Sequence, residues 1–157
     1  AQAGRLCSPT CVAMPLAYQG IDVPVQTVAA AAYDPEHDIY GNWPRNLQAA
    51  YELGAPGYLT RFSDWAQVER ILHSGQPIIA SIKVKPGELP SAPYAETDGH
   101  LIVIRGIDEH GDILVNDPAA SDPMKGMLTY RRDALTRVWL QRCRGTAYIL
   151  MPREVVP

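Results

Sequence analysis

Long apolar runs are missing from this 157-residue chain. None approaches the ~20 residues that a helix needs to cross a bilayer. Cysteine is scarce: three residues, an odd number and too few for a disulfide framework. An excess of positive charge is also missing. Fourteen Lys and Arg stand against 17 Asp and Glu, a net charge of -3 that offers no basic surface for nucleic acid. There is no Gly-rich phosphate loop, no internal repeat and no low-complexity tract. No signal peptide is visible, and the abrupt start at Ala1-Gln2 reads as the edge of a piece trimmed or excised from a longer protein. The compartment is therefore not legible from the start of the chain.

What is present is ordinary for a globular domain. The apolar fraction is 46% and the charged fraction 20%, and the length suits one domain over residues 1–157 with a substantial core. Proline is frequent, 14 residues, which argues for many fixed turns. From Thr10 to Tyr18 the chain is mostly apolar, as in a helix buried on several sides, with Pro15 expected to kink it and Gly20 to close it. An Ala-rich helix is expected over Val25–Ala32, then a polar loop from Tyr33 to Trp43. Pro44 opens a helix that stops at Gly54, and Tyr58–Phe62 reads as a short strand. Ser63 is the expected N-cap of the next helix, which ends at Gly75. Beyond it come a buried strand (PIIASIKV), a Pro-rich loop from Pro86 to Thr97, and GHLIVIRGI with DILVNDP as a hairpin closed by Glu109-His110-Gly111. A strand over 126–130, a helix over 132–141 and a closing strand over 146–151 complete the chain. Helices in the first half and strands in the second argue for an α+β fold with an antiparallel sheet.

The chemistry centres on Cys7-Ser8-Pro9-Thr10-Cys11-Val12-Ala13-Met14. Pro9 suits a first helical turn, where a missing N–H breaks no bond. Cys7 then sits at the positive end of a helix dipole, where a thiol's pKa falls and the thiolate becomes a nucleophile. The bland alternative is a small buried cysteine. His100 opens one strand of the hairpin and Asp117 ends the other, so both fall near its open end. A carboxylate there can orient an imidazole whose other nitrogen faces the thiol. Asn116 is the alternative partner, but adjacent strand residues point to opposite faces. Cys11 reads as packing or as a disulfide partner, and pairing with Cys143 would leave Cys7 free. A zinc site on Cys7, Cys11 and a histidine lacks a second close ligand pair, so no metal or other cofactor is expected. His37 and His110 read as solvated loop residues, and His73 as a favourable charge at a helix end. Trp43 and Asn46 are placed as groove-lining residues, with Trp43 equally suited to anchoring its loop in the core.

CSPTCVAM at Cys7, GNWPRN at Gly41, TDGHLIVIRGID at Thr97 and VNDPAASDP at Val115 together resemble the C39-like cysteine peptidases of the papain-like superfamily. YRRDALTRVWL and TAYILMP resemble that family's ending, so the resemblance touches nearly the whole chain. It implies a papain-like fold, with Cys7 as nucleophile, His100 as base and Asp117 as its orienting partner. It also implies an oxyanion glutamine upstream of the cysteine, and Gln2 is the one glutamine available there. Ser8 stands where many relatives have glycine, and Pro15 interrupts the helix in an unfamiliar way.

The implied activity is hydrolysis of a peptide amide through an acyl-enzyme. A related domain in exporters removes leader peptides after a double glycine, a role that this chain, with no membrane span or ATPase loop, does not carry by itself. Three alternatives remain open: a peptide-binding module without turnover, acyl transfer to an amine, and redox sensing through Cys7 and Cys11.

Overall fold

The computed structural model describes residues 5–152. Three helices come first: α1 (Cys7–Tyr18), α2 (Val25–Ala32) and α3 (Trp43–Glu52). Strand β1 (Gly57–Arg61) and helix α4 (Trp65–His73) follow, then β2 (Ile78–Val84), β3 (Thr97–Ile107), β4 (Ile113–Asn116) and β5 (Met127–Tyr130). Helix α5 (Arg132–Leu135) runs on into a π-helical turn, Thr136–Gln141, before β6 (Thr146–Leu150). The strands form one sheet in the order β1-β6-β2-β3-β4-β5, and every neighbouring pair is antiparallel. The fold is α+β with an antiparallel sheet, as expected, and the short strand expected near Tyr58–Phe62 belongs to that sheet. β1 lies among the helices and reaches the sheet by pairing with the last strand, β6.

The sheet is covered on both faces, which explains the continuous apolar runs IIASI and LIVI. Alternate residues serve opposite cores. Ile78, Ala80, Ile82, Ile102 and Ile104 join Phe62, Val68, Leu135 and Trp139 under α4 and α5. Ile79, Leu101, Val103 and Tyr148 join Cys11, Val12, Leu16, Val28 and Ala50 under α1, α2 and α3. The first core carries an aromatic cluster in which Phe62 and Trp65 meet Trp139 edge-on, with centroids 5.7 and 5.9 Å away.

Helix ends follow their local chemistry. α1, α3 and α4 each close in a Schellman motif: Gly20, Gly54 and Gly75 donate to Ala17, Tyr51 and Leu72, and the next residues reach back to Leu16, Ala50 and Ile71. Pro15 removes one rung of the α1 ladder without ending the helix. α3 begins at Trp43, one residue before the expected start, because Asn42 caps it through the Arg45 N–H at 3.3 Å. The cap of α4 is Asp64 rather than Ser63. Asp64 accepts the Gln67 N–H at 2.9 Å, and Gln67 returns its side-chain oxygen to the Ser63 N–H at 3.1 Å. This is a capping box displaced by one residue. The single helix expected over 132–141 is a short α segment followed by the π turn.

Candidate active site

The β3–β4 hairpin sets the first two residues of the site. Its last pair is Val103 with Asn116, so Asp117 lies just past the ladder, opposite Ile102. His100 stands two residues before Ile102 and shares its face. The His100 Nε2 lies 2.8 Å from the Asp117 Oδ1, with the carboxylate fully buried and the imidazole 10% exposed. Asn116 points the other way, and its Oδ1 is buried without a partner. Of the two possible partners, Asp117 is the one that meets the ring.

Asp117 is held from all sides. Its Oδ1 also accepts the Ala119 N–H at 2.9 Å, and its Oδ2 accepts the hydroxyls of Tyr94 at 2.8 Å and Tyr130 at 2.7 Å. Burial raises the Asp117 pKa, but the His100 hydrogen bond and charge and then the Tyr130 hydroxyl outweigh it, and the carboxyl lies below its usual value. Burial and the Asp117 charge push both phenols up, so they remain donors. Tyr94 also stands edge-on to the imidazole, with ring centroids 5.0 Å apart. Gly126 completes the cradle: its carbonyl takes the Asp117 N–H at 2.8 Å, and a Cβ there would come within 2.8 Å of the Asp117 oxygen.

Helix α1 brings the thiol to this pair. Ser8, fully buried, shares a 3.0 Å hydrogen bond with the Tyr148 hydroxyl on β6. One turn on, the Cys11 Sγ donates to the Leu101 carbonyl at 3.2 Å, next to His100. These ties lay the start of α1 over the His100 end of β3. The first bond of the helix runs from the Thr10 N–H to the Leu6 carbonyl, and Leu6 has no side-chain acceptor for capping. The N–H groups of Cys7 and Ser8 thus face outward at the positive end of the dipole. Burial raises the half-buried Cys7 thiol, but hydrogen bonding and charge from His100, with the Leu101 and Ser8 N–H groups, bring it below its usual value. Burial lowers the His100 pKa, and the Asp117 and Cys7 contacts override it, to about 9. Because Nε2 serves Asp117, Nδ1 is the nitrogen left for sulfur. A lowered thiol and a raised imidazole shift the pair toward a thiolate beside an imidazolium.

The pair opens into a cleft of about 520 Å³ lined by Ser8, Gly41, Trp43, Ser81 and Thr146 and by a group of cationic side chains.

The sequence pattern of the Peptidase_C39 like family matches residues 1–146. The chain belongs to that family. No curated protein sequence matches it. Several solved structures share the fold of this C39-like chain, three of them as follows. A protein of Bacillus anthracis described as a C39-like peptidase is 18% identical, with a TM-score of 0.68 over 95% of this chain and 90% of that one. A double glycine motif protease from an AMS/PCAT transporter, in complex with the leader peptide, is 22% identical, with a TM-score of 0.62 over 93% and 84%. The peptidase domain of Streptococcus ComA, a bifunctional ABC transporter in a quorum-sensing pathway, is 16% identical, with a TM-score of 0.64 over 95% and 93%. Family membership supports a peptidase-type function.

Within this C39-like fold the expected site residues are distributed as follows. Cys7, His100 and Asp117 come together, and Trp43 lines the cleft while also packing on the α1–α3 core. Asn46 does not reach the cleft. It is fully buried, with its amide nitrogen on the carbonyls of Tyr40 and Asn42 at 2.7 and 2.8 Å, so it shapes the loop before α3. Gln2 lies outside the described residues. Cys7, Cys11 and Cys143 are all free, so the Cys11–Cys143 disulfide is absent. Burial drives the Cys11 thiol well above its usual value, which leaves it unreactive. His37 touches Asp34 at 3.1 Å and His110 lies 3.5 Å from Glu109; both rings are largely exposed. Among the described residues, only Asp34, Glu36 and His37 gather closely enough to hold a metal ion, and the Asp34 oxygens already serve Asn42 and the Glu36 N–H. No helix among those residues is long and apolar enough to cross a membrane. Sequence reasoning missed Tyr94 and Tyr130. A tyrosine in a Pro-rich loop and another at a strand end carry no local sign that both converge on Asp117.

Proposed function

We propose that this chain is a cysteine peptidase that cleaves a peptide amide through Cys7, His100 and Asp117. One observation carries the reading: Cys7, at an uncapped helix N-terminus, lines the same open cleft as His100, whose Nε2 is held at 2.8 Å by the buried Asp117 carboxylate, and the imidazole lowers the thiol while its own pKa is raised. A peptide substrate fits the leader peptide held by one fold relative. The Cys7 thiolate attacks the carbonyl carbon, and the oxyanion that forms meets the Cys7 N–H at the start of α1. Gln2 is the expected second donor. The His100 imidazolium then protonates the leaving amine, the C–N bond breaks and a thioester remains. Neutral His100 takes a proton from water, the hydroxide attacks the thioester, and the thiolate and imidazolium are restored. Asp117 keeps the ring in the tautomer and orientation that both steps require.

The test is iodoacetamide labelling across pH, located by peptide mass spectrometry, beside hydrolysis of a library of synthetic peptides. Cys7 should label selectively below neutral pH, and this selectivity should vanish in His100→Ala. Cys7→Ala should remove turnover and leave the circular dichroism spectrum unchanged. Turnover that survived Cys7→Ala would sink the reading. Selective labelling without turnover of any peptide would favour a binding module.

A further inference from the structure

The net charge of -3 conceals a strongly cationic cleft. Arg61, Lys83, Arg142 and Arg144 line it, and no Asp or Glu does. They arrive from three places at one end of the sheet. Arg61 closes β1 opposite Thr146 of β6, Lys83 lies near the end of β2, and Arg142 and Arg144 flank Cys143 in the turn before β6. Arg142 is already matched, since both of its terminal nitrogens meet the Glu88 carboxylate. Arg61, Lys83 and Arg144 have no carboxylate partner among the described residues. Arg144 also holds a left-handed backbone, with φ at 54°. Glycine suits that conformation far better, so an arginine there retains its side chain against a local cost.

We propose that Arg61, Lys83 and Arg144 form an anion-binding subsite that selects peptides with acidic side chains next to the bond to be cut. The proposal rests on the peptidase reading of Cys7 and His100, because that pair fixes where the scissile bond lies. Three converging cations in a walled cleft attract carboxylates more strongly than scattered surface charges do. They also repel basic peptides, which sharpens the choice by the unfavourable arm.

The test separates binding from turnover by using Cys7→Ala protein and isothermal titration calorimetry. The probes are acetylated, amidated decapeptides of Ala and Gly with two Glu on either side of the central bond, and the same peptides with Gln or Lys. The Glu peptides should bind about tenfold more tightly than the Gln peptides, a preference that shrinks as salt rises. Lys83→Gln with Arg61→Gln should erase the preference without weakening the Gln peptides. Arg144→Gly should reduce it while raising the melting temperature, which separates a lost contact from a lost fold. Equal affinity for Glu and Gln peptides, or a preference that appears only with a free C-terminal carboxylate, overturns the proposal. If wild-type protein cut no peptide yet the Glu preference held, the peptidase reading alone would fail.

Discussion

Asp117 acts on the proton of His100 through its 2.8 Å contact with Nε2. It opposes the burial that would otherwise keep His100 neutral, and together with Cys7 it raises the imidazole from its usual 6.5 to about 9. Asp117→Asn removes that opposition. The His100 pKa should fall from about 9 toward its usual 6.5, with Cys7 still supporting the charged ring, and the Cys7 thiol should rise as its neighbour becomes less often cationic. In the wild type the pH–rate profile should fall on the acid side as the thiolate gains a proton, and on the alkaline side near 9 as the imidazolium loses one. In Asp117→Asn the alkaline limb should move down and kcat/KM should drop at least about 10²-fold. An alkaline limb unmoved near 9 would show that another group sets it. Tyr130→Phe tests the support behind the carboxylate. Loss of a buried hydrogen bond to a charged group should lower stability by about 1.5–3 kcal/mol, seen as a lower urea midpoint. The meeting of Cys7, His100 and Asp117 was legible because a helix-start pattern marks Cys7, while strand position and face parity bear on His100 and Asp117. The two phenols were not, because nothing within a few residues records what a side chain meets across the fold.

At the scale of elements, two loops are fastened by acids whose ties reach well beyond their neighbours. Asp34 gathers Asn42, the His37 ring, the Glu36 N–H and Arg45, and its pKa falls from 3.8 to about 2. Glu88 meets Arg142 and the Lys85 N–H, and falls from 4.5 to about 2. Both folded values lie below the unfolded ones. Each tie therefore contributes stability above the unfolded pKa that is lost as pH falls through the folded one. The urea midpoint should decline between pH 4.5 and about 2, and Asp34→Asn with Glu88→Gln should flatten that decline. An equally steep decline in the double variant would assign it to other carboxylates. Local signals placed most elements well: α2 spans Val25–Ala32 as its composition implies, and β2 and the β3–β4 hairpin follow their apolar runs. The errors came from competition between neighbours. Ser63 and Asp64 are both able caps, and the Gln67 side chain decides between them. Asn46 has the chemistry of a groove residue, yet two backbone carbonyls claim its amide inside the core.

For the whole molecule, the order of helices and strands along the chain argued for an α+β fold with an antiparallel sheet, and the structure holds that one sheet between two layers of helices. What the order did not indicate is the partner of β1, whose pairing with β6 joins residues more than eighty positions apart (Arg61 with Thr146, Gly57 with Leu150), beyond the reach of any local pattern. The shared sheet has a thermodynamic consequence. Ile78 and Ile79 are adjacent on β2 and fully buried, but they belong to opposite cores. Truncating either to alanine should cost about 2–5 kcal/mol. Because one strand serves both cores, each loss should destabilise the molecule as a unit. In a Trp43→Phe background the near-ultraviolet tryptophan bands report the Trp65–Trp139 cluster on one face, and the far-ultraviolet signal reports helices on both. In Ile78→Ala and in Ile79→Ala the two transitions should coincide, at a lower denaturant midpoint than in the wild type. If Ile79→Ala melted the helical signal while the tryptophan signal persisted, the layer bearing Cys7 would be an independent lobe. The thiol could then leave the imidazole without unfolding the sheet. Coincident transitions mean that Cys7 and His100 stay aligned for as long as the protein is folded.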